Sequence, residues 1–332
     1  MPQRFGISIG VSPREPLERV REIASCAEAY GVEALWVIDF QLGMKDVYAA
    51  LLLAAESTRA MSMGPGVTNL VTRDITVTAN AICALHEVSG GRAMVGLGAG
   101  ASAVYGAGQR PSRLVEMREG IIRLRRLLAG EAVAIAGREV RLATARGPVP
   151  IYVAASRPKM LQLAGELADG VIVMGAANRE FVDWQLGFVH EGLARANRER
   201  GHVTIDLVVT MSMDNNEQQA LDDVRPWATS EAWGYSKWPQ LPAGFERFRS
   251  DFERAASGYR LVEHLSLHAE HRRLVSDEFV RAVAIAGDER TCLNRLRELA
   301  KLDVDRMTFA LLPRGRLRRL EELAKVFLAL SQ

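Results

Sequence analysis

The chain has 332 residues, 48% of them hydrophobic and 25% charged, with a net charge of +2. This ordinary globular composition excludes a disordered or fibrous chain, and 42 basic against 40 acidic residues give no reason to expect nucleic acid or a membrane surface as a partner. The three cysteines, Cys26, Cys83 and Cys292, lie far apart, which favours buried thiols over disulfides. No signal peptide or membrane-spanning run is indicated, so we expect a cytoplasmic protein.

Predicted strands and helices alternate along the whole sequence. Apolar and β-branched runs predict eight strands, at residues 5–11, 34–39, 61–69, 93–100, 150–155, 170–175, 203–213 and 306–312. Apolar residues at helical spacing predict the helices that follow them, at residues 17–30, 47–59, 74–88, 111–128, 158–168, 179–200, 288–302 and 317–330. Residues 131–147 add a predicted hairpin around Gly137.

This alternation predicts a closed (β/α)8 TIM barrel. Strands that are apolar on both faces, each followed by a helix, are typical of parallel sheets, and the length suits one barrel domain over residues 1–332. Residues 216–284, mostly helical, form a predicted insertion between strands 7 and 8, at or over the barrel mouth. Four aromatic residues there suggest either a ligand-stacking surface or the insertion's own core: Trp227, Trp233, Tyr235 and Trp238.

The third predicted strand is interrupted by Gly64-Pro65-Gly66. Glycine reaches backbone angles that other residues avoid, and proline removes a hydrogen-bond donor, so the run indicates a bulge. A bulge at a strand end often lies beside a functional site, although a plain strand-to-helix turn is the alternative. Active groups of such barrels follow the carboxyl ends of the strands, which singles out Asp39 at the end of the second strand.

A second glycine pattern, Gly96-x-Gly98-x-x-Ala101, is similar to a dinucleotide-binding fingerprint. No helix is predicted directly after it, so we disfavour a Rossmann site. The glycines would instead let a flat ligand approach the backbone.

Three histidines, His264, His268 and His271, fall on one predicted helix, where the first two could share a metal. They lack the glutamate of a zinc-binding helix, which favours a solvated or mouth-lining helix, and no metal site is predicted.

Several motifs occur together in a fixed order: Gly64-Pro-Gly-Val-Thr-Asn69, Thr72-Arg73, Ser89-Gly-Gly-Arg92, Gly96-Leu-Gly-Ala-Gly100, Ala154-Ala-Ser-x-Pro158 and Ala164-Gly-Glu-x-Ala-Asp-Gly170. The set resembles the bacterial luciferase-like family of flavin and deazaflavin oxidoreductases. It is most similar to the methylenetetrahydromethanopterin reductase branch. The resemblance covers nearly the whole chain and implies a (β/α)8 barrel, in agreement with the independent strand pattern.

The resemblance also implies a cofactor, coenzyme F420 or alternatively FMN, with its ring in the barrel mouth. It implies a non-prolyl cis peptide at Gly66-Val67, behind the ring, and a phosphate-holding loop at residues 155–157. We expect a β-branched residue at Gly66 to impair cofactor binding more than stability, because its Cβ would crowd the ring. The expected cofactor-binding residues are Asp39, Gly66, Val67, Thr68, Asn69, Gly98, Gly100, Ala155, Ser156, Arg157, Met174 and Gly175.

Two departures from the family pattern bear on the reaction. Some deazaflavin-dependent dehydrogenases have a histidine after the strand 2 acid and an acid after the strand 4 glycines, where this chain has Phe40 and Ala101. This favours hydride delivery to a polarised C=C or C=N bond, or FMN-dependent oxygen chemistry, over alcohol oxidation. The expected catalytic residues are Asp39, Gln41 and Tyr105, and further candidate proton donors are Asp214, His264 and His268.

Three functions remain open from the sequence. The first is an F420H2-dependent reductase acting on a small molecule, the second an FMN-dependent two-component monooxygenase with a partner flavin reductase, and the third a non-catalytic flavin-binding protein. The resemblance also implies a homodimer.

Overall fold

The structure, a computed structural model, describes residues 4–145, 147–312 and 314–331. The strands are β1 (Arg4–Ile9), β2 (Ala34–Val37), β3 (Ser62–Pro65), β4 (Thr68–Asn69), β5 (Val95–Gly98), β6 (Val133–Ile135), β7 (Arg138–Val140), β8 (Ile151–Ala155), β9 (Gly170–Val173), β10 (Thr204–Val209), β11 (Met211–Met213), β12 (Ile285–Gly287) and β13 (Arg306–Ala310). The helices are α1 (Arg19–Ala29), α2 (Val47–Ser57), α3 (Ile75–Val88), α4 (Ser102–Gly106), α5 (Leu114–Leu128), α6 (Pro158–Leu167), α7 (Arg179–Arg195), α8 (Glu217–Tyr235), α9 (Arg249–Gly258), α10 (Asp277–Val283), α11 (Glu289–Ala300) and α12 (Arg316–Ser331). Short 3-10 helices lie at Arg200–His202, Phe245–Phe248, Leu261–Glu263 and Glu270–Leu274.

The main sheet is a parallel barrel, which confirms the predicted (β/α)8 fold. Its strands are ordered β3-β2-β1-β13-β10-β9-β8-β5-β4, and every neighbouring pair is parallel. Strands β3 and β4 are the two halves of the bulged third strand. The sheet closes on itself because β4 pairs with β5 and Met63 bridges to Ala93. Helices then cover the outside of the barrel, as the alternation of elements requires.

Two predicted boundaries were wrong at the barrel mouth. The seventh strand was predicted to run through residues 203–213, but only β10 stays in the barrel, while β11 leaves it and pairs with β12 in a separate sheet. The chain changes partner there because it turns out into the insertion. The prediction that no helix follows Gly100 directly was also wrong, since α4 begins at Ser102.

Side-chain caps fix where many helices begin. Asparagine, aspartate and serine side chains accept a hydrogen bond from a first-turn amide that has no partner within the helix. The capping residues of this kind are Asp46 for α2, Asp74 for α3, Asn178 for α7, Asn216 for α8, Ser276 for α10 and Asp288 for α11.

A pair of charged side chains at the foot of the barrel fixes the entry to β3. The carboxylate of Glu28 accepts hydrogen bonds from three successive amides, those of Arg59, Ala60 and Met61. The guanidinium of Arg92 donates to the backbone carbonyls of Ala55, Thr58, Met61 and Ser89. Burial alone would raise the pKa of Glu28, but these amides and the charge of Arg92 hold it below its ordinary value. The Ser89-Gly-Gly-Arg92 motif therefore supports the strand that carries the bulge.

Trp36 of β2 is the largest fully buried side chain among the described residues, and it packs in the barrel interior with Met94, Tyr152 and Ile172. A Cβ built on Gly66 would lie 2.5 Å from the Cβ of Trp36, and one on Gly96 would lie 3.2 Å from its Cζ3. Trp36 also contacts the ring of Tyr152 at 5.2 Å between centroids. Because Gly66 after β3 and Gly96 on β5 have no side chains, the indole of Trp36 fits between them.

A buried charged cluster lies beside this tryptophan. The carboxylate of Asp206 accepts hydrogen bonds from the indole of Trp36 at 2.8 Å, from Arg306 at 2.9 Å and 2.6 Å, and from Thr308 at 2.6 Å. Burial alone would lower the pKa of Arg306, but the charge of Asp206 and the hydroxyl of Tyr152 hold it above its ordinary value. Asp206 and Arg306 thus form a buried ion pair inside the barrel, held by hydrogen bonds from the surrounding side chains.

The insertion has a hydrophobic core of its own. Helices α8, α9 and α10 pack around aromatic side chains, namely Tyr235, Phe245, Phe248, Phe252 and Phe279. Three residues of the barrel join them, two from loops and one from α7: Ala176, Leu312 and Phe181. Among the described residues, no helix is both long and apolar enough to cross a lipid bilayer.

Candidate cofactor-binding site at the barrel mouth

The bulge between β3 and β4 forms part of the floor of the mouth. The peptide Gly66-Val67 is cis, as the resemblance implied. The side chain of Val67 lies against β5, where a Cβ on Gly98 would come 2.7 Å from its Cγ2 and one on Gly96 2.9 Å from its Cγ1. The glycines at 96 and 98 are therefore needed by Val67 and Trp36, which corrects the expectation that they clear space for a ligand.

The same geometry corrects the expectation for Gly66. Its missing side chain faces Trp36 in the barrel interior, so a larger residue would collide with the core. The next residue, Val67, is half-buried and packs against the glycines of β5.

Asp39 lies two residues beyond β2 and is 9% exposed. Burial raises its pKa, while Thr68 and the charge of Arg73 act in the opposite direction. The neighbouring hydroxyls of Thr68 and Tyr48 are buried, yet neither completes a hydrogen bond of ordinary geometry. This corner of the mouth therefore combines a carboxyl group that gains a proton readily with hydroxyls that retain bonding capacity.

Asn69 shapes the turn that follows the bulge. Its side-chain oxygen accepts hydrogen bonds from the amides of Val71 at 2.9 Å and Thr72 at 2.8 Å, and its nitrogen donates to the Thr72 hydroxyl at 3.0 Å. The turn leads to Arg73, whose guanidinium lies 4.8 Å from the ring centroid of Tyr48. The polar atoms of Asn69 are therefore engaged with two backbone amides and the Thr72 hydroxyl, and its contact with a cofactor ring stays a prediction.

Gly100 ends the fifth strand in the left-handed region, with φ of 89°. A side chain there would strain the backbone and collide with Val104 of α4. The glycine is thus required by the turn into the short helix.

The loops after β8 and β9 are held together by one buried side chain, Gln185. Its amide nitrogen donates to the carbonyl of Ser156 at 3.0 Å and to that of Met174 at 2.7 Å. Gly175 follows at φ 149°, against Phe181. The structure thus brings together the predicted cofactor-binding residues of both loops, namely Ala155, Ser156, Arg157, Met174 and Gly175.

A series of aromatic contacts joins the insertion to the mouth. Phe40, directly after Asp39, meets His264 edge-to-face at 5.9 Å, and Tyr105 of α4 meets Trp233 at 5.8 Å. Tyr259 completes the series, because it stacks on Trp233 at 5.1 Å and its hydroxyl bonds Nδ1 of His264. Residues after β2 and β5 are therefore covered by the insertion.

The predicted catalytic residues Gln41 and Tyr105 lie in this covered region. The amide nitrogen of Gln41 donates to the carbonyl of Ala103 at 3.1 Å, which ties the loop after β2 to α4. Tyr105 is 39% exposed and packs on the insertion. Their geometry places them at the rim, and their catalytic role stays a prediction.

Three titratable side chains of the insertion are held in their neutral forms. Burial raises the pKa of Glu231 to about 8, with Tyr235 acting weakly in the opposite direction. Burial raises the pKa of Tyr259 to about 12. Burial, with the nearby His271, lowers the pKa of His264 to about 4. Near neutral pH the carboxyl and hydroxyl groups therefore keep their protons and the imidazole stays uncharged.

The hydrogen bond between Tyr259 and His264 involves Nδ1 of the imidazole. The tyrosine keeps its proton and can donate it to Nδ1, and in that arrangement the hydrogen of the neutral imidazole is on Nε2. His264 can then act as a hydrogen-bond donor through Nε2.

Glu231 and Tyr259 were missed by the sequence analysis. The available signal was an acid four residues after Trp227 and four before Tyr235, within a helix whose neighbours are aromatic. A charged residue on such a helical face calls for a partner or for neutralisation.

The remaining candidates lie elsewhere. The prediction of one helix carrying His264, His268 and His271 was wrong, because Leu265 adopts φ of 59° and separates two 3-10 helices. His268 is exposed, and Asp214 accepts from the amide of Asn216 at the start of α8. Within the described ranges, no group of three or more histidine, cysteine or acidic side chains could hold a metal ion.

The chain is similar to proteins of known class. The model of a family described as luciferase-like monooxygenase matches residues 2–306. A 5,10-methylenetetrahydromethanopterin reductase of Methanolobus tindarius is 30% identical over 319 residues, covering 90% of this chain and 91% of the relative. An F420-dependent glucose-6-phosphate dehydrogenase of Intrasporangium calvum is 31% identical over 194 residues, covering 54% and 58%. The structure of the coenzyme F420-dependent tetrahydromethanopterin reductase of Methanopyrus kandleri has the same fold, with a TM-score of 0.79 at 24% identity over 100% of both chains.

Proposed function

The chain belongs to the luciferase-like family of oxidoreductases, as its ordered motifs indicated. From this premise we propose that it is an F420H2-dependent reductase, which transfers a hydride to a C=C or C=N bond of a small organic acceptor. The relatives named methylenetetrahydromethanopterin reductase support this proposal, since they match nearly the whole chain.

One observation carries the choice of reduction over alcohol oxidation: the ionisable groups of the covered mouth rest in forms that supply hydrogen bonds and protons. An alcohol dehydrogenase needs a base that holds the hydroxyl proton as the hydride leaves. Phe40 cannot do this, and an imidazole whose pKa is about 4 holds a proton poorly. Glu231, with a pKa of about 8, can release one near neutral pH. A polarised double bond needs that proton supply as it is reduced.

The residues at the mouth fit a flat ring that carries an anionic chain. Val67 offers an apolar surface, Asp39 a carboxyl group that can hydrogen-bond in either protonation state, and α6 a first turn without a side-chain cap. The coenzyme, when bound, supplies the hydride. The predicted set from Asp39 to Gly175 would hold it, while Trp233 and Tyr259 exclude water and His264 orients the acceptor through Nε2.

An FMN-dependent two-component monooxygenase is the second candidate. The matching family model is described as one of luciferase-like monooxygenases, and it spans residues 2–306, which include all the mouth motifs of this chain. A non-catalytic flavin-binding protein is the third, because Phe40 and Ala101 replace the familiar proton-handling residues.

Titration of the purified apo-protein with coenzyme F420 and with FMN, followed by fluorescence, separates the three. Tight binding of F420 with FMN excluded, together with oxidation of F420H2 by an unsaturated acceptor, supports the reductase. Binding of FMN with oxygen uptake supports the monooxygenase. Binding of either cofactor with no turnover supports the third candidate.

A further inference from the structure

Two exposed cations, Lys237 of the insertion and Arg157 after β8, lie over neighbouring aromatic rings without an acidic partner among the described residues. The ammonium of Lys237 lies 3.1 Å from the ring centroid of Trp233 and 4.8 Å from that of Tyr105. The guanidinium of Arg157 lies 5.9 Å from the ring centroid of Trp238, the residue after Lys237. Among the described residues, neither cation forms an ion pair, and the pKa of Lys237 is lowered with no acidic group acting in the opposite direction.

The two charges repel one another. Burial, and then the charge of Arg157, lowers the pKa of Lys237, and no carboxylate acts in the opposite direction. An aromatic face attracts each cation separately, but it does not cancel the repulsion between them. A negatively charged group bound between the two side chains would cancel that repulsion.

The backbone at this place also favours an anion. Arg157 is the N-cap of α6, a helix of ten residues with Pro158 at its start, and no side chain caps its first-turn amides. Such amides and the helix dipole attract negative groups. Gln185 fixes the loop from below, through the carbonyls of Ser156 and Met174.

We propose that Lys237 and Arg157 together bind the phosphate-bearing chain of the cofactor, so that the insertion closes over the cofactor as well as over the acceptor. The inference rests on the proposed function and adds Lys237, a residue of the insertion, to the cofactor site. The ligand class is a phosphate monoester or diester joined to a flat ring.

The test compares each cofactor with its phosphate-free form. The wild-type protein, Lys237→Gln, Arg157→Gln and the double variant are titrated by fluorescence with coenzyme F420 and with its chromophore that lacks the phosphate chain. We expect Lys237→Gln to lose about 5- to 20-fold in affinity for F420, the range of one charge-assisted contact. We expect less than about 2-fold loss for the phosphate-free chromophore, because that form offers the lysine no anion.

Two controls separate charge from packing. Lys237→Arg keeps the charge and should restore F420 affinity, while Lys325→Gln removes an exposed lysine from the outer helix α12 and should leave both affinities unchanged. A thermal unfolding curve of each variant shows that the fold persists.

Equal loss for both ligands in Lys237→Gln would overturn the inference and assign Lys237 to packing on Trp233. No loss for either ligand would overturn it as well. If the wild-type protein binds FMN and rejects F420, the reductase proposal fails but the inference about Lys237 does not. The inference is then tested by comparing the affinity loss of Lys237→Gln for FMN with its loss for riboflavin, which lacks the phosphate. If the wild-type protein binds none of these ligands, both fail.

Discussion

The interior of the barrel and the interior of the insertion each bury a cluster of polar side chains, and the two clusters are in opposite states. Inside the barrel, the carboxylate of Asp206 receives hydrogen bonds from Trp36, Arg306 and Thr308. In the insertion, the hydroxyl of Tyr235 and Nε2 of His271 are buried, and neither completes a hydrogen bond of ordinary geometry within the described residues, although Tyr235 faces Glu231.

The difference indicates that the barrel cluster stabilises the fold, whereas the insertion cluster is available to bind a ligand. The hydrogen-bonded pair of Asp206 and Arg306 holds neighbouring strands in register, since the two residues stand opposite one another on β10 and β13. Groups that lack partners become neutral and keep bonding capacity for a ligand. Breaking each cluster should therefore have different consequences.

The largest effect is expected from Asp206→Ala. The change leaves the Arg306 charge buried without its partner, which costs about 3–5 kcal/mol of unfolding free energy. Urea unfolding followed by circular dichroism measures it. The control Glu18→Ala removes one partner of an exposed ion pair with Arg21 and should change little. A loss no larger than that of the control would show that the barrel cluster is not structural.

Gly66→Ala should lower the stability of the barrel more than it lowers the affinity for the cofactor. The new Cβ would meet Trp36 at 2.5 Å, and overpacking of this kind costs about 1–3 kcal/mol. Thermal unfolding of the apo-protein reports the loss. Gly187→Ala on α7, where a Cβ meets nothing within 4 Å, is the matched control. An unchanged melting temperature with impaired cofactor binding would show instead that the new side chain crowds the cofactor ring, as the sequence suggested.

Glu231→Gln should remove a pH dependence. The folded protein holds this proton up to a pKa of about 8, whereas the unfolded chain releases it near the ordinary value of 4.5. Between these values the folded state binds more protons, so the unfolding free energy of the wild type falls as pH rises. The variant should gain on the order of 1–2 kcal/mol over the wild type on going from about pH 5 to about pH 8.

Unfolding curves at both pH values measure that gain, with Glu253→Gln, an exposed acid on α9, as the control. Parallel profiles of wild type and Glu231→Gln would show that the carboxyl is ionised in the folded protein.

The smallest effect on stability is expected from Tyr259→Phe, about 0.5–1.5 kcal/mol for one hydrogen bond. Its distinctive result is spectroscopic. Nitrogen NMR of histidine-labelled protein should show His264 as the Nε2–H tautomer down to a pKa of about 4, and the variant should mix the two tautomers. A wild-type His264 that protonates near its ordinary pKa would contradict the burial that defines the cluster.

The contrast between the regions also explains what the sequence could predict. Alternating strands and helices identified the barrel because each strand is buried on both faces, a local property. The contacts of Asp206 could not be predicted, since Arg306 is a hundred residues away along the chain. The glycines at 66 and 96 suggested space for a ligand, whereas a side chain from the neighbouring strand, Trp36, fills that space.

Within the site, motif order located the loops, but the insertion resisted prediction for a physical reason. The positive φ of Leu265 ends the expected helix, and nothing in the residue type announces it. The change of partner after β10 was equally hidden, because residues 203–213 are β-branched or apolar apart from Asp206 and Ser212.

The separate core of the insertion makes it an exchangeable part of the molecule. It is anchored to the barrel through Ala176, Phe181 and Leu312, while its own aromatic side chains supply the rest of its packing. Mutations on the inner face of the insertion can therefore accumulate without preventing the barrel from folding. A library confined to that face would sample new acceptors on an unchanged hydride-transfer scaffold, which gives this architecture an easy route to diversification.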